Sequence, residues 1–119
     1  MNLFRRKEPD TAYDKGIEGE KTALKYLKKK GYRILEKRWR CPGGEADLIC
    51  LDGDTVVFVE VKYRPDGHAG DGIDAVTDDK MRRLTYCVDW YMGPNPSRNA
   101  RIDILEITMD GIRHVPNVY

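Results

Sequence analysis

The sequence predicts one α/β domain, a mixed sheet with helices covering its faces, in the order α-β-β-β-α-β-β. Three observations carry this. An apolar stripe at helical spacing runs through residues 13–30. Two adjoining runs rich in Val, Ile, Leu and Phe are split by Asp52-Gly53-Asp54, a tight-turn sequence. A second helical stripe, 77–92, is closed by Gly93-Pro94 and followed by two further short apolar runs.

Residues 1–12 are polar and are expected to form a flexible arm ahead of a single domain spanning 13–119. In the first helix Ile17, Ala23, Leu24 and Leu27 share one stripe, and Glu20 lies on it. Lys21, Lys25, Lys28 and Lys29 fall mostly on the opposite side. Gly16 and Gly19 flank Glu20 and permit another backbone to approach. Gly31 suits the C-cap. Residues 32–40 read as a first strand and Cys41-Pro42-Gly43-Gly44 as a turn. Residues 46–51 and 55–62 form a hairpin. The glycine-rich stretch 64–75 reads as a flexible loop, a candidate substrate lid or DNA-contacting loop directly after the strand. His68 within it is expected to be a plain loop histidine. Thr77 caps the second helix, with Asp78 and Asp79 complementing its dipole. Met81, Leu84, Cys87, Val88 and Tyr91 form its apolar face. A strand over 102–107 follows, then a turn at Asp110-Gly111 and a strand over 113–118. Asp103 is expected to be structural, paired with Arg101 or Lys80. Trp39, Trp90 and Tyr91 are candidate interface aromatics, with ordinary core packing expected for at least two of them.

The length allows a modest core without staples. Cys41, Cys50 and Cys87 form no CxxC pair, and Cys50 and Cys87 sit in apolar runs as core thiols. No secretory or membrane-spanning run is visible, so a cytoplasmic protein with reduced thiols and no membrane partner is expected. The net charge of +1 hides an asymmetry. Residues 1–40 hold 13 Lys/Arg against 6 Asp/Glu, and residues 41–119 hold 8 against 14. A basic third beside an acidic site suits a polyanion that must approach carboxylates. Lys28 and Lys29 are candidate nucleic-acid contacts, although cations also favour a helix C-terminus.

Function is indicated by charges inside apolar runs, which are costly unless paired or holding a metal. Asp47 stands in Gly44-Glu45-Ala46-Asp47-Leu48-Ile49, and Glu60 and Lys62 stand in Val57-Phe58-Val59-Glu60-Val61-Lys62. If Gly53-Asp54 is the turn, Asp47 lies opposite Glu60. If Asp52-Gly53 is the turn, Asp47 faces Phe58 and Glu45 faces Glu60. Either register leaves Asp47, Glu60 and Lys62 on one face, because the strand period is two. Hard cations such as Mg²⁺ or Mn²⁺ prefer oxygen ligands. Asp47, Glu60 and the Val61 carbonyl would supply them, with Glu20 as a further, water-mediated ligand. Such an ion polarises a scissile phosphate and activates water. Lys62 would orient that water or stabilise developing charge. Lys80 and Arg64 are placed to reach a phosphate. Glu-x-Lys alone is a weak signal; Asp47 at a compatible register and Glu20 on an apolar stripe strengthen it.

Gly19-Glu20, Gly31-Tyr32-Arg33-Ile34-Leu35, the Asp47 and Glu60 segments, Ala75-Val76-Thr77 with Lys80, and Arg101-Ile102-Asp103 together resemble the YraN family of small bacterial proteins. The resemblance covers roughly residues 14–107. It implies a restriction-endonuclease-like fold and a predicted nuclease site at Glu20, Asp47, Glu60 and Lys62, similar to that of archaeal Holliday-junction resolvases. Ala46 stands where Ile is usual and Tyr63 where a small residue is common, and neither change removes a ligand. By this resemblance the expected substrate is branched or structured DNA, cut by a metal-dependent endonuclease in recombination or repair, with a homodimer needed to cut two strands symmetrically. The other readings are a non-catalytic nucleic-acid-binding accessory module of the same fold, and RNA as the substrate.

Overall fold

The computed structural model describes residues 12–70, 77–94 and 99–118, with side chains from residue 16 onward. The elements are α1 (Ala12–Lys29), β1 (Arg33–Cys41), β2 (Gly44–Asp52), β3 (Thr55–Arg64), α2 (Asp78–Met92), β4 (Asn99–Thr108) and β5 (Gly111–Val115). They follow the predicted order, and the strands form one sheet in chain order. Neighbours joined by short turns are antiparallel. β3 and β4 are parallel because the connection between them passes through α2.

Each choice has a local cause. Gly53 takes φ +60° while Asp54 stays at negative φ, so Gly53-Asp54 forms the two-residue turn and Asp52 pairs with Thr55. The same argument places Pro42-Gly43 in the β1–β2 turn, with Gly43 at φ +86° and Cys41 paired with Gly44. Thr77 accepts a hydrogen bond from the Lys80 N–H at 3.2 Å, and Gly93 receives the end of α2. α1 begins at Ala12, inside the stretch read as an arm, and residues 1–11 lie outside the described part. β5 begins at Gly111, earlier than the sequence suggested, with the turn at Met109 and Asp110.

Strand alternation sorts the core into two layers. Leu48, Cys50, Val57, Val59, Leu105 and Ile107 pack beneath Ala23 and Leu27 of α1. Ile49, Val56, Phe58 and Ile102 pack beneath Leu84 and Cys87 of α2. β2, β3 and β4 are thus covered on both faces, which explains their near-continuous apolar sequence. Trp39 and Phe58 meet Tyr91 edge-on at 5.2 and 5.8 Å, whereas Trp90 is exposed. Burial pushes the Cys50 and Cys87 thiols up to about 12, as expected of inert core cysteines.

The first half of the loop after β3 is pinned, not free as its composition suggested. Ala69 N–H donates to Asp110 at 2.9 Å, and Gly70 N–H donates to the buried Glu106 carboxylate at 2.8 Å. His68 contacts Asp110 at 3.4 Å, a loop role. The second half, 71–76, lies outside the described residues, and with it the remainder of the proposed lid.

Candidate active site

β3 delivers two of the predicted residues to one face. Val56 and Phe58 point into the α2 layer, so Glu60 and Lys62 follow on that face at the same period. Both are buried, and Lys62 Nζ lies 3.1 Å from Glu60 Oε2. α2 supplies a second cation, because its first turn passes over this end of β3. Lys80 Nζ lies 2.8 Å from the same Glu60 oxygen. Burial and the neighbouring Lys80 pull the Lys62 pKa down, while burial of the half-exposed Lys80 is outweighed by its bonds to Glu60 and Lys62 and the charges of Glu60 and Asp47 together, so its pKa is raised. The lysine read from sequence as a weak phosphate contact is therefore part of the carboxylate cluster. Its placement depends on a close approach: a Cβ on Gly44 would collide with the Arg83 carbonyl, so only glycine lets α2 sit this near β2.

Asp47 stands where the hairpin splits. The β2–β3 ladder runs from Asp52–Thr55 to Leu48–Val59 and ends there. Continued regularly, it would give the Val61 N–H to the Ala46 carbonyl. Instead Val61 N–H donates to Asp47 Oδ2 at 2.8 Å. Alternation also slips here. Leu48 belongs to the α1 layer, yet Ala46, two residues earlier, packs in the α2 layer. Across the β1–β2 ladder Lys37 pairs with Leu48 and Trp39 with Ala46. Arg38, between them, takes the left-handed φ of +49°. Such a conformation in a non-glycine residue marks a constrained position. Burial first, then the Glu60 charge, pushes the Asp47 carboxyl up to about 7, against the opposing Val61 N–H and Lys80.

Two cavities meet at this split. The one on the α2 side, about 680 Å³, is lined by Arg40, Asp47, Glu60, Lys80 and Arg83. The one on the α1 side, about 280 Å³, is lined by Ile17, Glu20, Arg38, Asp47, Val61 and Tyr63. Glu45 and Asp47 line both. Glu20 therefore shares a cavity with Asp47 but not with Glu60, because α1 covers the opposite face of the sheet. Glu20 Oε1 lies 3.4 Å from Arg38 Nη2, and among the described residues Glu20 Oε2 is buried without a hydrogen-bond partner. Gly19 has the role predicted for it, since a Cβ there would stand 2.8 Å from Tyr63 Cβ; Gly16 faces open space.

Among the described residues, no three Asp, Glu, His or Cys side chains gather into a self-sufficient metal cage. Two carboxylates are nevertheless the usual protein share of a Mg²⁺ shell. Asp47 and Glu60 are hard oxygen donors whose mutual repulsion a cation would relieve. This donor set fits Mg²⁺ or Mn²⁺ better than any softer ion. The remaining predicted contacts are dispersed. Arg64 is exposed at the end of β3, with its guanidinium on the Tyr63 carbonyl. Lys28 and Lys29 lie two turns beyond Glu20, at the end of α1 where Lys30 approaches His114. Glu106 was missed. It is fully buried, in register with Lys62 on the neighbouring strand, and anchors Gly70. The signal was present in Ile104-Leu105-Glu106-Ile107, a charge inside an apolar run like that around Glu60.

Comparison with known proteins places the chain in a family. A family model described as "Uncharacterised protein family UPF0102" matches residues 19–107. A UPF0102 protein of Geobacter metallireducens is 40% identical over 110 residues, covering 87% of this chain and 90% of that protein. Similar proteins occur in Nitrosococcus oceani, 37% identical over 106 residues (87% and 86% covered), and in Mycolicibacterium vanbaalenii, 41% identical over 105 residues (87% and 86%). The match spans both halves of the split hairpin, and no helix among the described residues is long and apolar enough to cross a membrane.

Proposed function

This chain belongs to the UPF0102 family, known also as the YraN family, and on that footing we propose that it is a Mg²⁺- or Mn²⁺-dependent endonuclease acting on DNA. The observation that carries the reading is Asp47. Burial and the Glu60 charge push the Asp47 carboxyl up to about 7 in a cavity also lined by Lys80, Arg83 and Arg40, where a divalent cation would relieve the repulsion between the two carboxylates and the three side-chain cations would receive a phosphodiester. Asp47 and Glu60, with the Val61 carbonyl, would hold the ion, which when bound supplies Lewis acidity and a more acidic water. The chain's own groups do the rest. Lys80, Arg83 and Arg40 bind and orient the phosphate diester. Lys62, buried and with its pKa pulled down, is poised to hold the attacking water or to meet charge developing on phosphorus-bound oxygen. The preference for branched DNA follows by analogy with resolvases, and symmetric cleavage of a junction would engage two copies of the chain. A role in the cytoplasm, in recombination or repair, accompanies that reading.

A second reading is a non-catalytic nucleic-acid-binding module. The ion pairs favour it: two lysines already neutralise Glu60, and Val61 N–H already serves Asp47. The test is cleavage of labelled linear duplex, single strand, flap and four-way junction, as DNA and as RNA, with Mg²⁺, Mn²⁺ or EDTA. Metal-dependent cutting that falls at least a hundredfold in both Asp47→Asn and Lys62→Met is expected, as for loss of a group that acts in the transition state. Binding of the same panel without cutting by any form assigns the module instead.

A further inference from the structure

We propose that the α1-side cavity receives one unpaired nucleobase bearing an exocyclic amino group, while its phosphate lies in the α2-side cavity, so that the site takes a nucleotide splayed out of its stack. The inference rests on the nuclease reading for the phosphate and goes beyond it for the base.

The two cavities differ in the chemistry they accept. The α2-side cavity offers three cations, Arg40, Lys80 and Arg83, and suits an anionic phosphate. Among the described residues, the α1-side cavity opposes one cation, Arg38, with Glu20, Glu45 and Asp47. That balance rejects phosphate and favours a neutral group with hydrogen to donate. Its wall is apolar, formed by Ile17, Val61 and the Tyr63 ring, and its volume of about 280 Å³ lies just below the usual range of ligand pockets, enough for one flat ring system. The Arg38 guanidinium at the mouth is a plane on which a ring can stack.

The second observation is the orphaned oxygen. Among the described residues, Glu20 Oε2 is buried with no hydrogen-bond partner, while Oε1 faces Arg38. A buried acceptor without a donor is costly, and a ligand donor removes that cost. The amino group of cytosine, adenine or guanine is such a donor; thymine carries a carbonyl where cytosine carries its amino group, and offers only its ring N3–H, flanked by two carbonyls. Because Asp47 lines both cavities, a base in one and its phosphate in the other would straddle it. A paired base inside a duplex cannot do this without leaving the stack. Nicks, flaps and junction centres supply such nucleotides at least cost.

The experiment is fluorescence anisotropy of short single-stranded oligo-dC, oligo-dT and an abasic oligomer, in EDTA so that no cleavage is involved. The wild type is expected to bind oligo-dC about tenfold more tightly than oligo-dT, with the abasic oligomer weaker still. Glu20→Ala should remove the dC preference. Gly16→Leu should bring dC and dT down to the abasic value, because Gly16 lines the cavity and a Cβ there meets nothing within 4 Å. Retained thermal unfolding transitions confirm that both variants are folded. Equal binding of dC, dT and abasic oligomers by the wild type overturns the inference, as does a dC preference that survives in both variants. A dC preference lost in the variants, from a protein that never cuts, keeps the base site and rejects the nuclease. Metal-dependent cutting without base preference does the reverse.

Discussion

Two carboxylates, on the strands that flank β3, have opposite fates. Asp103 on β4 pairs in register with Val59, one residue before Glu60. It is fully buried, yet its pKa is held below the usual carboxylate value: burial pushes it up, and His114 at 2.7 Å, Arg101 at 3.0 Å and the Asn117 N–H at 3.0 Å outweigh that. Asp47 is bonded to one backbone N–H and faces Glu60, and is pushed up to about 7. Every acceptor position of Asp103 is spoken for by this chain, with Tyr32 completing the Arg101 side. Asp47 opens onto two cavities. The difference separates a carboxylate that holds a fold from one left in want of a partner.

The largest effect should come from breaking the satisfied centre. Asp103→Ala leaves the Arg101 cation, His114 and an amide without their acceptor, and should cost about 3–5 kcal/mol, read as a fall in the urea midpoint. Asp47→Asn should do the opposite at pH 7 in EDTA, raising the midpoint because it removes an anion that faces Glu60, even as it abolishes cutting. A loss of stability in Asp47→Asn as large as in Asp103→Ala would erase the contrast.

pH sharpens the same comparison. The raised Asp47 pKa means that the folded state binds the extra proton between pH 4 and 7. Stability from this group is therefore greatest below about pH 4 and declines as pH rises towards 7. The lowered Asp103 pKa contributes stability that is complete above about pH 4 and is lost as pH falls below it. Urea midpoints from pH 3 to 8 in EDTA should show the declining slope vanish in Asp47→Asn and persist in Asp103→Asn. With Mg²⁺ present, the wild-type transition should rise at pH 7 and that of Asp47→Asn should not.

A smaller effect, about 1–3 kcal/mol, is expected for Gly44→Ala, since the new Cβ meets the Arg83 backbone carbonyl and must push α2 outward. Lys80 would move away from Glu60 with it, so DNA affinity should drop beyond what the thermal shift explains. The smallest effect belongs to Lys28→Ala with Lys29→Ala. These lie beyond Glu20 at the far end of α1, and the salt dependence of DNA binding should hardly change. A slope reduced by about one for each lysine would show instead that DNA reaches that end of the helix.

Much of this was legible in the sequence because local rules act locally. The caps of α2, the β2–β3 hairpin and the shared face of Glu60 and Lys62 follow from Thr77, Gly93 and a period of two. Of the two registers permitted by Asp52-Gly53-Asp54, the fold takes the one that brings Asp47 level with Glu60, a choice set by Gly53 φ. What escaped was the non-local part. Nothing in the hairpin sequence announces that alternation slips at Ala46, that Arg38 turns left-handed opposite it, or that α1 brings Glu20 to the other face. These depend on how the split strands pack against two different helices. Lys80 was foreseen near the site, but its bond to Glu60 depends on how closely α2 approaches at Gly44. Asp103 found Arg101, one of its two expected partners, along with His114, which was not foreseen.

The parallel pairing of β3 with β4 has a consequence for how the chain is made. Glu20, Asp47, Glu60, Lys62 and Lys80 all leave the ribosome before any of β4 does. Until β4 arrives, on the order of seconds later, β3 is an apolar strand with an open edge, the kind that pairs with other chains. A translation product cut short after α2 would carry all the proposed chemistry on a strand free to stick to its neighbours. Pausing between β3 and β4 should therefore lower the soluble yield of this protein more than pausing before β3 is made.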